Sequence, residues 1–148
     1  MKLQAETTAR ALALRCGALT VDEIVVWADA VILEEPAVDP RLFDVSLAKT
    51  PAAILSALNV FGASTEKPRV ARLAFRFFHA SLVAGRADFS RIAKALYDMV
   101  GEHYVPYPGQ GAPMWAFWDT YDLATDGIAR NVEEVEADML AYLHANME

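Results

Sequence analysis

With 148 residues, 55% of them hydrophobic and 22% charged, the chain is sized for one domain with one core and is too apolar to be a disordered acidic segment. Its net charge of −7 excludes general nucleic-acid binding, which needs cations to neutralise phosphates. The single cysteine, Cys16, excludes an intrachain disulfide and fits a reducing compartment.

In chain order, MKLQAETTARALALRCGALT opens with a basic end and a short apolar run at 12–14, but Glu6, Arg10 and Arg15 interrupt it. The segment reads as a helix over 5–16 with Gly17 as its stop, not as an export signal. Thr20 and Glu23 form a capping-box pair that opens a helix reaching Glu35, just before Pro36. Its run from Ile24 to Leu33 is about half the length needed to span a bilayer and contains Asp29, so no membrane partner is expected. A soluble cytoplasmic protein is the default expectation. Asp39 with Pro40, and Thr50 with Pro51, predict short helices near 40–48 and 51–61, the second closed by Gly62. Pro68 starts a long helix to Ala84, with Gly85 as a left-handed cap.

Asp88 is the next N-cap, followed by Phe89, Ile92, Ala93, Leu96, Val100 and His103 at helical spacing. VPYPGQGAP then makes the longest break in the helical pattern, and MWAFWDTYD resumes it with Trp115 and Trp118 expected against the core. Asn131 and Glu134 open a last helix whose apolar face is Val132, Val135, Met139, Tyr142 and Leu143. Nothing alternates with period two. These signals predict an all-α protein, a single compact domain over 1–148 with about seven or eight helices. Helices 21–35 and 68–84 are apolar around most of their circumference, which predicts that they are central, with a homodimer interface as the alternative.

Charge is unevenly distributed. Residues 67–94 hold seven bases and one acid, residues 95–148 hold ten acids and one base, and residues 20–44 hold seven acids and one base. The basic stripe Arg69, Arg72, Arg76, continued by His79, reads either as an anion site or as the polar face of a buried helix that pairs with nearby acids. Asp29, set among apolar residues, predicts a buried ion pair with an arginine of the basic helix, or else an acid of raised pKa.

No nucleophile elbow, phosphate loop, HExxH or CxxC motif is present, and GQGAPM lacks the third glycine of a dinucleotide fingerprint, so neither a cofactor nor a catalytic residue is predicted. The three histidines are far apart in sequence, and no metal centre is predicted. Asp119, Asp122 and Asp126 share a helical spacing that reads as solvated acids, with Asp126 as an N-cap, more readily than as a divalent-cation site. The loop segment offers binding candidates in His103, Tyr104, Tyr107, Trp115, Trp118, Asp119 and Asp122, and reads as a structural corner or as a lid over a pocket.

The segments LTVDEIVVWADAVI, LFDVSLAK and FWDTYDLATDGI resemble a group of small, uncharacterised all-helical bacterial proteins. The resemblance covers about half of the residues and implies an all-helical fold. Some proteins of this kind are associated with toxin systems as immunity proteins. The resulting expectation is a protein-interaction module, an immunity-type inhibitor included, whose acidic surfaces steer a basic partner into place. The alternative is a small enzyme or ligand-binding protein with its pocket under the 104–118 loop.

Overall fold

Side-chain caps fix four of the helix starts. The computed structural model of the chain describes residues 2–128 and 130–148, Lys2 by its backbone alone. Its described residues form α1 (Lys2–Arg15), α2 (Val21–Glu34), α3 (Arg41–Leu47), α4 (Pro51–Asn59), α5 (Lys67–Val83), α6 (Phe89–Gly101), α7 (Gly111–Thr125) and α8 (Val132–Asn146), with no strand. Thr20 Oγ1 accepts the Glu23 N–H at 3.2 Å while the Glu23 carboxylate accepts the Thr20 N–H at 3.1 Å, the reciprocal bonds of a capping box. Thr50, Asp88 and Asn131 cap α4, α6 and α8 through the N–H groups of Ala53, Ser90 and Glu133. Asp126 does not take the N-cap role expected of it. It ends α7, donating its N–H to the Asp122 carbonyl at 3.2 Å.

The chain is one all-helical domain in which α1 is a shared wall. One face of α1 carries Ala5, Ala9 and Ala13, which lie against α5 residues Val70, Leu73 and Ala74. These small side chains let the two helix axes approach closely. The other face presents Ala11 and Leu14 to a smaller cluster built by Ile24, Leu42, Val45, Ile54 and Phe61 of the α2–α4 region. Beyond α5, the larger cluster takes in Phe75, Phe78, Leu96, Met114 and Met139, with α6 packed on α7 and α8 on both α5 and α7. Each fully buried phenylalanine of α5 contributes on the order of 3–5 kcal/mol by the cost of its truncation. No helix among the described residues is long and apolar enough to cross a membrane.

Of the two helices expected to be central, α5 is, with eight buried residues. α2 lies at the outside. It buries Ile24 and Ala28, while Asp22, Val26, Asp29 and Leu33 recur at helical spacing on its solvent face. Asp29 is therefore exposed and forms no buried ion pair; its carboxylate accepts a hydrogen bond from the Ser46 hydroxyl of α3. The charge that is buried belongs to Arg10, whose side chain is 8% exposed and pairs with Glu6 one helical turn earlier. Burial pulls the Arg10 pKa down from its ordinary value, and the Glu6 carboxylate opposes that shift.

Candidate functional site

The loop between α6 and α7 begins with a Schellman ending. His103 takes a left-handed conformation (φ 65°), its N–H reaching the Val100 carbonyl at 3.1 Å and the next N–H, of Tyr104, reaching Met99 at 3.0 Å. His103 is thus the residue that turns the chain out of α6, not a further position on its apolar face. Val105 is buried and anchors the segment. Gly111 closes it: its N–H meets the Pro106 carbonyl at 2.7 Å, and a Cβ there would lie 2.8 Å from that same oxygen. Tyr142 donates to the Gln110 carbonyl at 2.8 Å, and Gln110 donates to Asn146 at 3.0 Å, which ties the loop to α8. Of the two readings of this stretch, these bonds support the corner.

The corner encloses a cleft of about 610 Å³ lined by Pro68, Val100, His103, Tyr104, Val105, Pro106, Tyr107 and Trp115. The structure brings together four expected residues, His103, Tyr104, Tyr107 and Trp115. Trp115 stacks on Tyr97 with centroids 4.2 Å apart and meets Tyr107 at 5.8 Å. Lys67 spans the rim, its ammonium 5.1 Å from the Tyr104 ring and 2.6 Å from the Glu102 carbonyl. Partial burial, helped by the Glu102 carboxylate, raises the Tyr104 pKa. The chemistry of the cleft is that of an aromatic and proline-walled surface with one imidazole.

The other expected residues lie elsewhere. Trp118 lines a different cavity, under the Lys94 ammonium at 4.7 Å, and Asp119 and Asp122 are exposed on α7. Trp115 is itself 40% exposed; the core-facing stripe of α7 is Met114, Phe117 and Ala124. The helix starts within the glycine-rich stretch, which sets this register. Asp119, Asp122 and Asp126 are all solvent-exposed, and the described residues contain no cluster of three or more potential ligands able to hold a metal ion. Within the basic stripe, Arg69 lies 3.7 Å from Glu6 and Arg76 sits 5.2 Å from the Phe77 ring, a polar seam beside α1. His79 meets His144 of α8 with ring centroids 5.5 Å apart.

On a second surface, within the acidic 20–44 segment, the structure adds exposed apolar side chains that the charge pattern did not reveal. The outer faces of α2, α3 and α4 expose Val26, Leu33, Phe43, Leu47 and Val60, with Leu33 at 86% and Leu47 at 74%. The Asp29–Ser46 hydrogen bond joins the α2 face to α3, and Asp44, Leu47, Ala53, Ser56 and Val60 line a shallow groove of about 410 Å³. Five exposed acids on these elements, Asp22, Asp29, Glu34, Glu35 and Asp44, accompany the apolar groups, while the nearby cations are exposed Lys49, Arg41 on Asp39 and Arg86 on Glu23. Exposed Val26 and Leu33, four and eleven positions after Asp22, were the available signal: they repeat with the acids rather than with Ile24 and Ala28. Comparison with protein-family models, with curated proteins and with solved structures found no match to this chain.

Proposed function

We propose that the chain is a protein-interaction module of the immunity type, performing no catalytic step, that takes a basic partner on the outer faces of α2, α3 and α4. The observation that carries this reading is the apolar patch of Val26, Leu33, Phe43, Leu47 and Val60 accompanied by five exposed acids. Apolar surface gives a partner area to bury, and the acids steer and select it by charge. A second copy of the same face would set these acids against one another, so a basic partner fits better than a homodimer.

Affinity capture from the cells of origin at low salt tests the surface. A bound basic protein that is lost with Leu33→Ser/Leu47→Ser, and weakened at about 0.5 M salt, supports it, because screening shortens the reach of surface charge to a few ångströms. A partner held equally by the double variant would place the interface elsewhere. Co-expression with the product of the neighbouring gene tests the immunity role: relief of a growth arrest supports it, whereas no arrest, or an unrelieved one, removes it.

A second reading rests on the cleft below the loop, where Tyr104, Tyr107 and Trp115 meet His103. It makes the chain a binder of a flat or proline-rich ligand. A thermal-shift screen of metabolites and short peptides checks it, with Trp115→Ala expected to cancel any ligand-induced rise.

A further inference from the structure

Helices α1 and α6 lie on either side of α5 and leave a groove of about 490 Å³ between them, within the size range of small-molecule sites. Leu12, Ala95 and Trp118 give it an apolar lining above the buried Phe78 and Met99. Its mouth is charged, and the charge has a direction. Along the groove face of α6 the order is Arg91, Lys94, Asp98, Glu102; Lys94 and Asp98 pair in the middle, and Arg91 and Glu102 stand about 16 Å apart at helical rise. Arg15, at the end of α1, also lines the groove, and its backbone carbonyl accepts from Arg91.

The cations differ in what they already hold. Lys94 is engaged, 2.6 Å from Asp98 and above the Trp118 ring. Arg91 is fixed in place by a different kind of contact, donating to the Arg15 carbonyl at 2.8 Å while it rests on Gly17, where a Cβ would come within 2.8 Å of Nη1. Among the described residues, neither Arg15 nor Arg91 has a carboxylate within 4.0 Å. Two guanidinium groups without a carboxylate partner, one of them held rigidly at the mouth of an apolar groove, match an anionic head on an apolar body.

We propose that the groove between α1 and α6 binds a small organic carboxylate, its apolar body on Leu12, Ala95 and Trp118 and its head group on Arg15 and Arg91. Glu102, far from Arg91 along α6, disfavours the reversed orientation by repelling the head group. The site is separate from the α2–α4 surface and from the cleft under the loop, although Tyr104 forms a wall of both cavities.

Isothermal titration with octanoate tests the assignment, with octanamide, which lacks the charge, and inorganic phosphate, which lacks the apolar body, as controls. Octanoate is expected to bind with a Kd below about 1 mM, and the two controls at least about tenfold more weakly. Arg15→Ala removes an exposed side chain and leaves the fold intact; it is expected to weaken octanoate by about five- to tenfold. Ala95→Phe, which fills the groove, is expected to abolish binding. Absence of octanoate binding, equal binding of octanamide or phosphate, or octanoate binding unchanged in Arg15→Ala or in folded Ala95→Phe would each overturn the proposal.

Discussion

The guanidinium carbon of Arg10 lies 4.0 Å from the centroid of the Trp27 ring, which joins α1 to α2 through a cation–π contact at the boundary between the two core clusters. Phe77 of α5 lies on another side of the same group at 4.9 Å, and Glu6 completes its surroundings. One charged side chain therefore ties α1, α2 and α5 together. Arg10→Ala should cost about 2–3 kcal/mol in urea unfolding, below the usual cost of breaking a buried pair. Glu6 stays partly hydrated and keeps Arg69 at 3.7 Å, which accounts for the smaller loss. Arg10→Met combined with Glu6→Gln should recover part of it, because the buried charge is gone while Arg69, 23% exposed, loses its carboxylate. A double variant no better than Arg10→Ala would count against this view of the site.

Gly17 and Gly85 both sit at left-handed φ, 80° and 72°, but only one of them is crowded. A Cβ at Gly85 meets nothing within 4 Å, whereas at Gly17 it would strike the Arg91 guanidinium. Gly85→Ala should cost about 1 kcal/mol, the backbone penalty alone, and Gly17→Ala about 2 kcal/mol because Arg91 must also leave the Arg15 carbonyl. Denaturant midpoints of the two variants check the order; equal losses would mean that Arg91 moves aside freely.

Cys16 is buried against the core, and that burial pushes its thiol pKa up to about 11 from an ordinary value of 9.0. The folded state therefore holds the proton more tightly than the unfolded one. Stability from this group is fully present below pH 9 and is lost as pH rises through about 11, by roughly 2–3 kcal/mol in all. Tyr121 and Tyr142, both raised to about 12, extend the loss to higher pH. Urea midpoints should fall from pH 9 upward in the parent chain but only from about pH 10, the ordinary tyrosine value, in Cys16→Ala. Parallel curves for the two proteins would show that the thiol is not the group responsible.

The peripheral place of α2 gives a further contrast. Leu33→Ser removes a side chain that is 86% exposed and should change stability by no more than about 0.5 kcal/mol. Phe78→Ala empties a fully buried position and should cost about 3–5 kcal/mol. Thermal or urea unfolding of both variants checks this, and a large loss with Leu33→Ser would mean that α2 packs through its outer face.

The fold was largely legible because its punctuation is local. Thr20, Thr50, Asp88 and Asn131 bond N–H groups within a few residues, so their roles follow from spacing alone. The arrangement of the helices was less legible, because it depends on size as much as on hydropathy. Alanines at 5, 9 and 13 gave α1 little hydrophobic prominence, yet they place it between both clusters, while the more apolar α2 faces solvent. Among the site residues, His103, Tyr104, Tyr107 and Trp115 share a cleft because they are neighbours across one short loop. Pro68 and Arg15 reach their cavities only through long-range packing, and Asp29 finds Ser46 seventeen residues away, which no local pattern encodes.

The central claim is that the acid-rich apolar face of α2, α3 and α4 receives a basic partner. Titration of the isotopically labelled protein with an amphipathic Leu/Lys helical peptide, followed by amide chemical shifts, tests it most directly. The account predicts that the largest shifts fall on and around Val26, Leu33, Phe43 and Leu47, and that they shrink at about 0.5 M salt. Shifts centred on α7 and α8, or none on the α2–α4 face, would contradict it.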